Sequence, residues 1–84
     1  MKMKSVLYTR TAATALRKYA NRAKLIRSKI RQYADDASSH ANNVKSLVGV
    51  DAKRLRVGGF RVIFTETTDT ITILDIGPRG VIYE

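Results

Sequence analysis

Near Asp51 the apolar residues of this chain change period, from the 3.6 of a helix to the 2 of a strand. That change confines the chain to a helical half followed by a sheet. Before it, Ala12, Ala15, Leu16, Tyr19 and Ala20 recur at helical spacing, with Arg17 and Lys18 on the other side. A second stripe follows in Ile26, Ile30, Tyr33 and Ala37. The pattern predicts two amphipathic helices, over residues 12–20 and 22–36, broken at Asn21 and capped by Thr9 or Thr11. Residues 5–8 suit a short strand ahead of them.

After Asp51, Lys53-Arg54-Leu55-Arg56-Val57 alternates, Gly58-Gly59 marks a two-residue turn, and residues 60–66 form a return strand. Residues 70–76 form a third strand, ended by Gly77-Pro78, and residues 81–83 a short terminal stretch. Residues 38–43 read as a polar loop, and residues 44–50 as packing without chemistry. The 84 residues allow one small domain over residues 1–84. Its predicted class is α+β: an N-terminal strand, a helical hairpin, then a three- to four-stranded antiparallel meander with the helices on one sheet face.

Sixteen Lys and Arg against seven Asp and Glu leave a formal net charge of +9. Residues 1–34 carry +10 and no acid, whereas residues 35–84 sum to −1. Such a surface suits a polyanion or an acidic protein, the alternative being a solvated basic face that keeps the chain in solution. With no cysteine, disulfides, thiolate catalysis and Cys-based zinc sites are excluded, in keeping with a reducing cytoplasm. His40 is the sole histidine, expected as an exposed loop residue, so no His-rich metal site can form. No metal or other cofactor is expected. No apolar run reaches the length of a membrane span, and the first residues lack a signal-peptide stretch, so no membrane association is expected.

The glycine turn fixes a register. With Gly58-Gly59 as the turn, Val57 faces Phe60, Arg56 faces Arg61, Leu55 faces Val62 and Arg54 faces Ile63. Leu55, Val57, Phe60, Val62 and Phe64 then share the apolar face, and Arg54, Arg56 and Arg61 the other. Like charges directly across a strand pair repel. Either the arginines splay into water or pair with Glu66 or Asp75, or the sheet holds them to receive a phosphate, which guanidinium grips bidentately. Arg79 after Gly77-Pro78, and Tyr83 four residues on, could reach the same concavity.

Three stretches together carry a resemblance: Lys45-Ser46-Leu47, residues 53–64, and residues 73–83 with Gly77-Pro78-Arg79 and the late Tyr83. With the helical hairpin before them, they resemble the RelE/ParE superfamily of type II toxin-antitoxin toxins over nearly the whole chain. The resemblance implies a RelE-like fold and one of two activities. RelE-like members cut messenger RNA in the ribosomal A site without a metal; ParE-like members inhibit DNA gyrase. The RelE-like pattern carries over at Arg61 and Arg79, which would stabilise the scissile phosphate, and at Tyr83, with Lys53, Arg54 and Arg56 as RNA-binding residues. The implied reaction is attack of a ribose 2′-OH on the adjacent phosphate, leaving a 2′,3′-cyclic phosphate and a 5′-OH, helped by transition-state charge stabilisation and by positioning on the ribosome. Tyr83 or Lys53 is the general base, and Tyr83 is preferred because alternation places Lys53 on the apolar face. Pro78 before Arg79 departs from the commonest family pattern. The resemblance also implies a cognate antitoxin as partner, beside the ribosome and mRNA or, in the alternative, gyrase.

Overall fold

Thr9 starts the first helix: its side chain accepts a hydrogen bond from the Ala12 amide at 3.1 Å and donates one to the Leu74 carbonyl at 2.9 Å. In the computed structural model, which describes residues 4–82, this junction follows strand β1 (Ser5–Tyr8) and opens helix α1 (Arg10–Lys18). Helix α2 (Ala20–Asp35) follows after a single residue. The break falls at Tyr19, at φ −106° and ψ 47°, rather than at Asn21 as periodicity predicts. Tyr19 leaves the helical conformation and sets its ring edge-on to Phe60, with centroids 5.1 Å apart.

The predicted loop at residues 38–43 is a 3₁₀ helix, Ala37–Asn43. Hydrogen bonds from Ser39 and Ser38 to the Asp36 carboxylate organise its start and hold that carboxyl below its ordinary range. Ala37, expected on the inner stripe, is exposed because α2 ends at Asp35.

Four further strands are β2 (Val44–Ser46), β3 (Lys53–Val57), β4 (Phe60–Glu66) and β5 (Thr70–Pro78). They form a mixed sheet of order β1-β5-β4-β3-β2, with β1 parallel to β5 and the other pairs antiparallel. The meander is therefore four-stranded, and β2 is the member that alternation misses. The β3–β4 register matches the derived one at Val57↔Phe60, Arg56↔Arg61, Leu55↔Val62 and Arg54↔Ile63. Strand β5 runs through Pro78, two residues past its expected end, because Gly77 and Pro78 still pair with Arg61 and Phe60. An irregularity opposite Ile63 and Phe64 leaves Leu74 as the extra residue, so Ile73 and Ile76 both reach the core.

The core lies between the helices and one sheet face. Ala12, Leu16, Ile26, Ile30 and Tyr33 meet Leu55, Val62, Phe64, Ile71 and Ile73, all buried. Val48, expected to pack, stands 93% exposed at the β2–β3 connection. After β5, Ile82 bridges to Arg79 and is buried, while Tyr83 lies outside the described residues. Among the described residues no helix is long and apolar enough to cross a membrane.

Candidate phosphate-binding site

With the helices covering one face, the sheet's other face is left to its alternate residues. Lys45 on β2 stands opposite Arg54 on β3, and Arg56 stands opposite Arg61 on β4. Arg79 follows β5, whose Gly77 is the neighbour of Arg61. These five cations line one open cleft with Asn42 and Asn43 of the 3₁₀ helix. Its volume, about 220 Å³, is below the roughly 300–1,000 Å³ of drug-sized ligand pockets. No carboxylate is among its described lining residues. Guanidinium groups so gathered are of the kind that forks onto phosphate oxygens.

The Gly58-Gly59 turn positions two of the arginines. The Arg61 Nη1 donates to the carbonyls of Gly58 at 3.1 Å and Phe60 at 3.0 Å, which leaves the residue only 6% exposed. The Arg79 amide donates to the Gly59 carbonyl at 2.8 Å. Gly58 sits at φ +56°, where a side chain would be strained, so the turn needs glycine there. A two-residue turn thus sets both the hairpin register and the seats of Arg61 and Arg79. At the opposite wall, Arg56 Nη2 donates to the Asn43 side-chain oxygen at 3.3 Å.

Of the residues singled out from the sequence, the structure brings together Arg54, Arg56, Arg61 and Arg79. Lys53 is held elsewhere. Its Nζ lies 3.0 Å from Glu66, which also accepts from the Tyr33 hydroxyl at 2.6 Å and from Lys4 at 2.5 Å. Burial would raise the Glu66 pKa, but the hydrogen bonds from Lys4, Tyr33 and Lys53 prevail and hold it at about 2. Burial, reinforced by the Glu66 carboxylate, pushes the Tyr33 hydroxyl well above its ordinary range and keeps it neutral. This cluster ties Lys4, just ahead of β1, to α2, β3 and β4, so Glu66 is spent on Lys53 and its neighbours.

Asn42, Asn43 and Lys45 join the cleft without having been anticipated as site residues. They come from a polar stretch and a three-residue strand, and only the pairing of β2 with β3 brings them there. His40, expected to be exposed, is half-buried, its ring nitrogens 3.2 Å from the Asp36 carbonyl and 3.4 Å from the Gln32 side-chain oxygen.

The family model for the ParE toxin of type II toxin-antitoxin systems, parDE, matches residues 6–83. No curated protein matches by sequence. Among solved structures, the fold is similar to a chain of the archaeal RelE-RelB complex from Pyrococcus horikoshii OT3, with TM-score 0.76 and 22% identity over 95% of this chain and 99% of that one. It is also similar to a chain of the RelBE2 toxin-antitoxin complex from Mycobacterium tuberculosis, with TM-score 0.68 and 24% identity over 94% of each. At such identities the likeness is one of fold.

Proposed function

Because the chain belongs to the ParE toxin family of type II toxin-antitoxin systems, we propose that it arrests growth as a ribosome-dependent endoribonuclease that cuts messenger RNA without a metal. The protein is a toxin of the RelE/ParE group. The observation that supports nuclease action is the cleft in which Arg54, Arg56, Arg61, Arg79 and Lys45 face one space.

In the proposed reaction the 2′-oxygen of a ribose bonds to the adjacent phosphorus as the bond to the 5′-oxygen breaks. The 2′-proton leaves to a base and the 5′-oxygen gains one, giving a 2′,3′-cyclic phosphate and a 5′-OH. Arg61 and Arg79 neutralise the charge that grows on the non-bridging oxygens, a role that preorganised donors fill well. Arg54 and Arg56 hold the flanking backbone. Tyr83 is proposed as the general base, since the Lys53 ammonium is engaged by Glu66 on the far side of the sheet. The ribosome contributes alignment of the 2′-oxygen with the leaving group. The partner that restrains the toxin is a cognate antitoxin, as in the two toxin-antitoxin complexes of similar fold.

The test is induction of Arg61→Ala and Tyr83→Phe variants alongside the unmodified protein, with transcript ends mapped. Cleavage and growth arrest are expected only with the unmodified protein; unchanged cleavage in both variants refutes the assignment. Because the matching family model is that of ParE toxins, and ParE-like members of the superfamily inhibit DNA gyrase, a second reading is inhibition of gyrase without nuclease activity. Supercoiling by purified gyrase separates the two, because the nuclease leaves it untouched.

A further inference from the structure

Four of the five cations lining the cleft are arginines, and the fifth is Lys45. The proposed cleavage moves two protons: one leaves the 2′-oxygen, and one must reach the 5′-oxygen as its bond to phosphorus breaks. Tyr83 is proposed to take the first, and the second has no donor in that scheme. The donor has to be an acid within the cleft. Among the described lining residues there is no carboxyl, imidazole or phenol, and the neutral members are Asn42 and Asn43, whose carboxamides do not ionise. A guanidinium holds its proton to about pH 12.5 or beyond, whereas a lysine ammonium yields near pH 10.4. Arginine therefore suits the fixed charges of the cleft, and lysine the proton that has to move.

The sheet sets Lys45 on the side where this acid is needed. In an in-line displacement the attacking and leaving oxygens lie on opposite sides of phosphorus. Of the two arginines assigned to the phosphate, Arg61 is on β4 and Arg79 follows β5, with Tyr83 four residues further along the sequence. The strand order places Lys45, on β2, at the other end of the cleft, opposite Arg54 and two strands from Arg61. At about 4.8 Å per strand, the backbones of β2 and β4 stand about 10 Å apart. The four-carbon stem of lysine crosses most of that distance. Lys53 is no competitor, because Glu66 holds its ammonium on the far side of the sheet.

We propose that Lys45 is the general acid of the cleavage, a role that rests on the proposed nuclease reading. As the 2′-oxygen bonds to phosphorus and gives its proton to Tyr83, the bond from phosphorus to the 5′-oxygen breaks. Its electron pair stays with that oxygen, which takes a proton from the Lys45 ammonium. The products are the 2′,3′-cyclic phosphate, the 5′-OH and a neutral lysine amine, and exchange with water returns the amine and the tyrosine to their starting states.

The test compares Lys45→Gln and Lys45→Arg with the unmodified protein on stalled ribosomes. The mRNA carries, at the scissile position, either the normal linkage or one whose 5′-bridging oxygen is replaced by sulfur. A thiol ionises near pH 8.5, so the sulfur departs as a thiolate without an acid. On the normal linkage both variants are expected to cut on the order of 100-fold more slowly, as loss of general acid catalysis predicts. On the sulfur linkage both are expected to cut within a few-fold of the unmodified protein. Lys45→Arg keeps the charge, so undiminished cutting of the normal linkage by that variant overturns the proposal. Equal losses on both linkages overturn it too, since they mark a role in binding or folding. No cutting of either linkage by the unmodified protein overturns the nuclease reading and the proposal with it, a result distinct from the other two.

Discussion

Replacing Arg56 by Gln sets the stability of the hairpin against the use of its charge. Arg56 stands directly opposite Arg61, with Arg54 beside it and Arg79 in the same cleft. Two unit charges about 5 Å apart repel by about 0.8 kcal/mol at the dielectric of water and about 3.3 at an effective value of 20. Arg56 is exposed, which keeps its share at the lower end. The substitution also removes its exposed 3.3 Å hydrogen bond to Asn43, a loss of roughly 0.5 kcal/mol. The net expectation is a gain of about 0.3 kcal/mol at low ionic strength, or a rise in Tm of roughly 1–2 °C for a domain of this size. In about 1 M salt the screening length falls to about 3 Å and the gain should vanish. Urea unfolding at both ionic strengths measures it, and cleavage of ribosome-bound mRNA should fall in the same variant. A low-salt loss of stability, or a difference indifferent to salt, would refute the view that the cleft is an arrangement of mutually repelling charges.

Two further substitutions probe what holds the cleft in place. The Glu66 carboxyl, at about 2 in the fold against an ordinary 4.5, stabilises the protein by at most about 3.4 kcal/mol at neutral pH. Because the folded value is the lower one, that contribution is full above about pH 5 and is lost as the pH falls through 2. Glu66→Gln should therefore be weaker by about 2 kcal/mol at pH 7 and match the unmodified protein near pH 2, as urea unfolding at the two pH values will show. Gly58→Val forces a β-branched residue to φ +56°, at a cost of about 1–2 kcal/mol, and disturbs the carbonyl that seats Arg61. Its unfolding midpoint should drop, and mRNA cleavage should drop further than the loss of folded protein explains.

The parts of the fold legible in the sequence are those set by local rules. A two-residue glycine turn admits one register, so the opposition of Arg56 and Arg61 followed from counting. The alternation of β3 likewise put Lys53 with the apolar side, where Glu66 holds it. The features that escaped depend on distant partners. Val44–Ser46 is too short to alternate visibly and becomes a strand because β3 offers it an edge. Tyr19 rather than Asn21 breaks the helices because an aromatic ring 41 positions later receives it. Asn42, Asn43 and Lys45 reach the cleft by the same long-range pairing, and no spacing in their own segment signals it.

Cutting of RNA at the arginine cleft can be read out by mapping mRNA ends on purified, stalled ribosomes after adding the protein or its Arg61→Ala, Arg79→Ala double variant. The nuclease account predicts new 5′-OH ends within the A-site codon for the unmodified protein and a loss of at least 100-fold in their rate for the variant, the order expected from removing preorganised charge stabilisation. Ends that form equally with both proteins, or no ends from a protein that does block gyrase supercoiling, would contradict it.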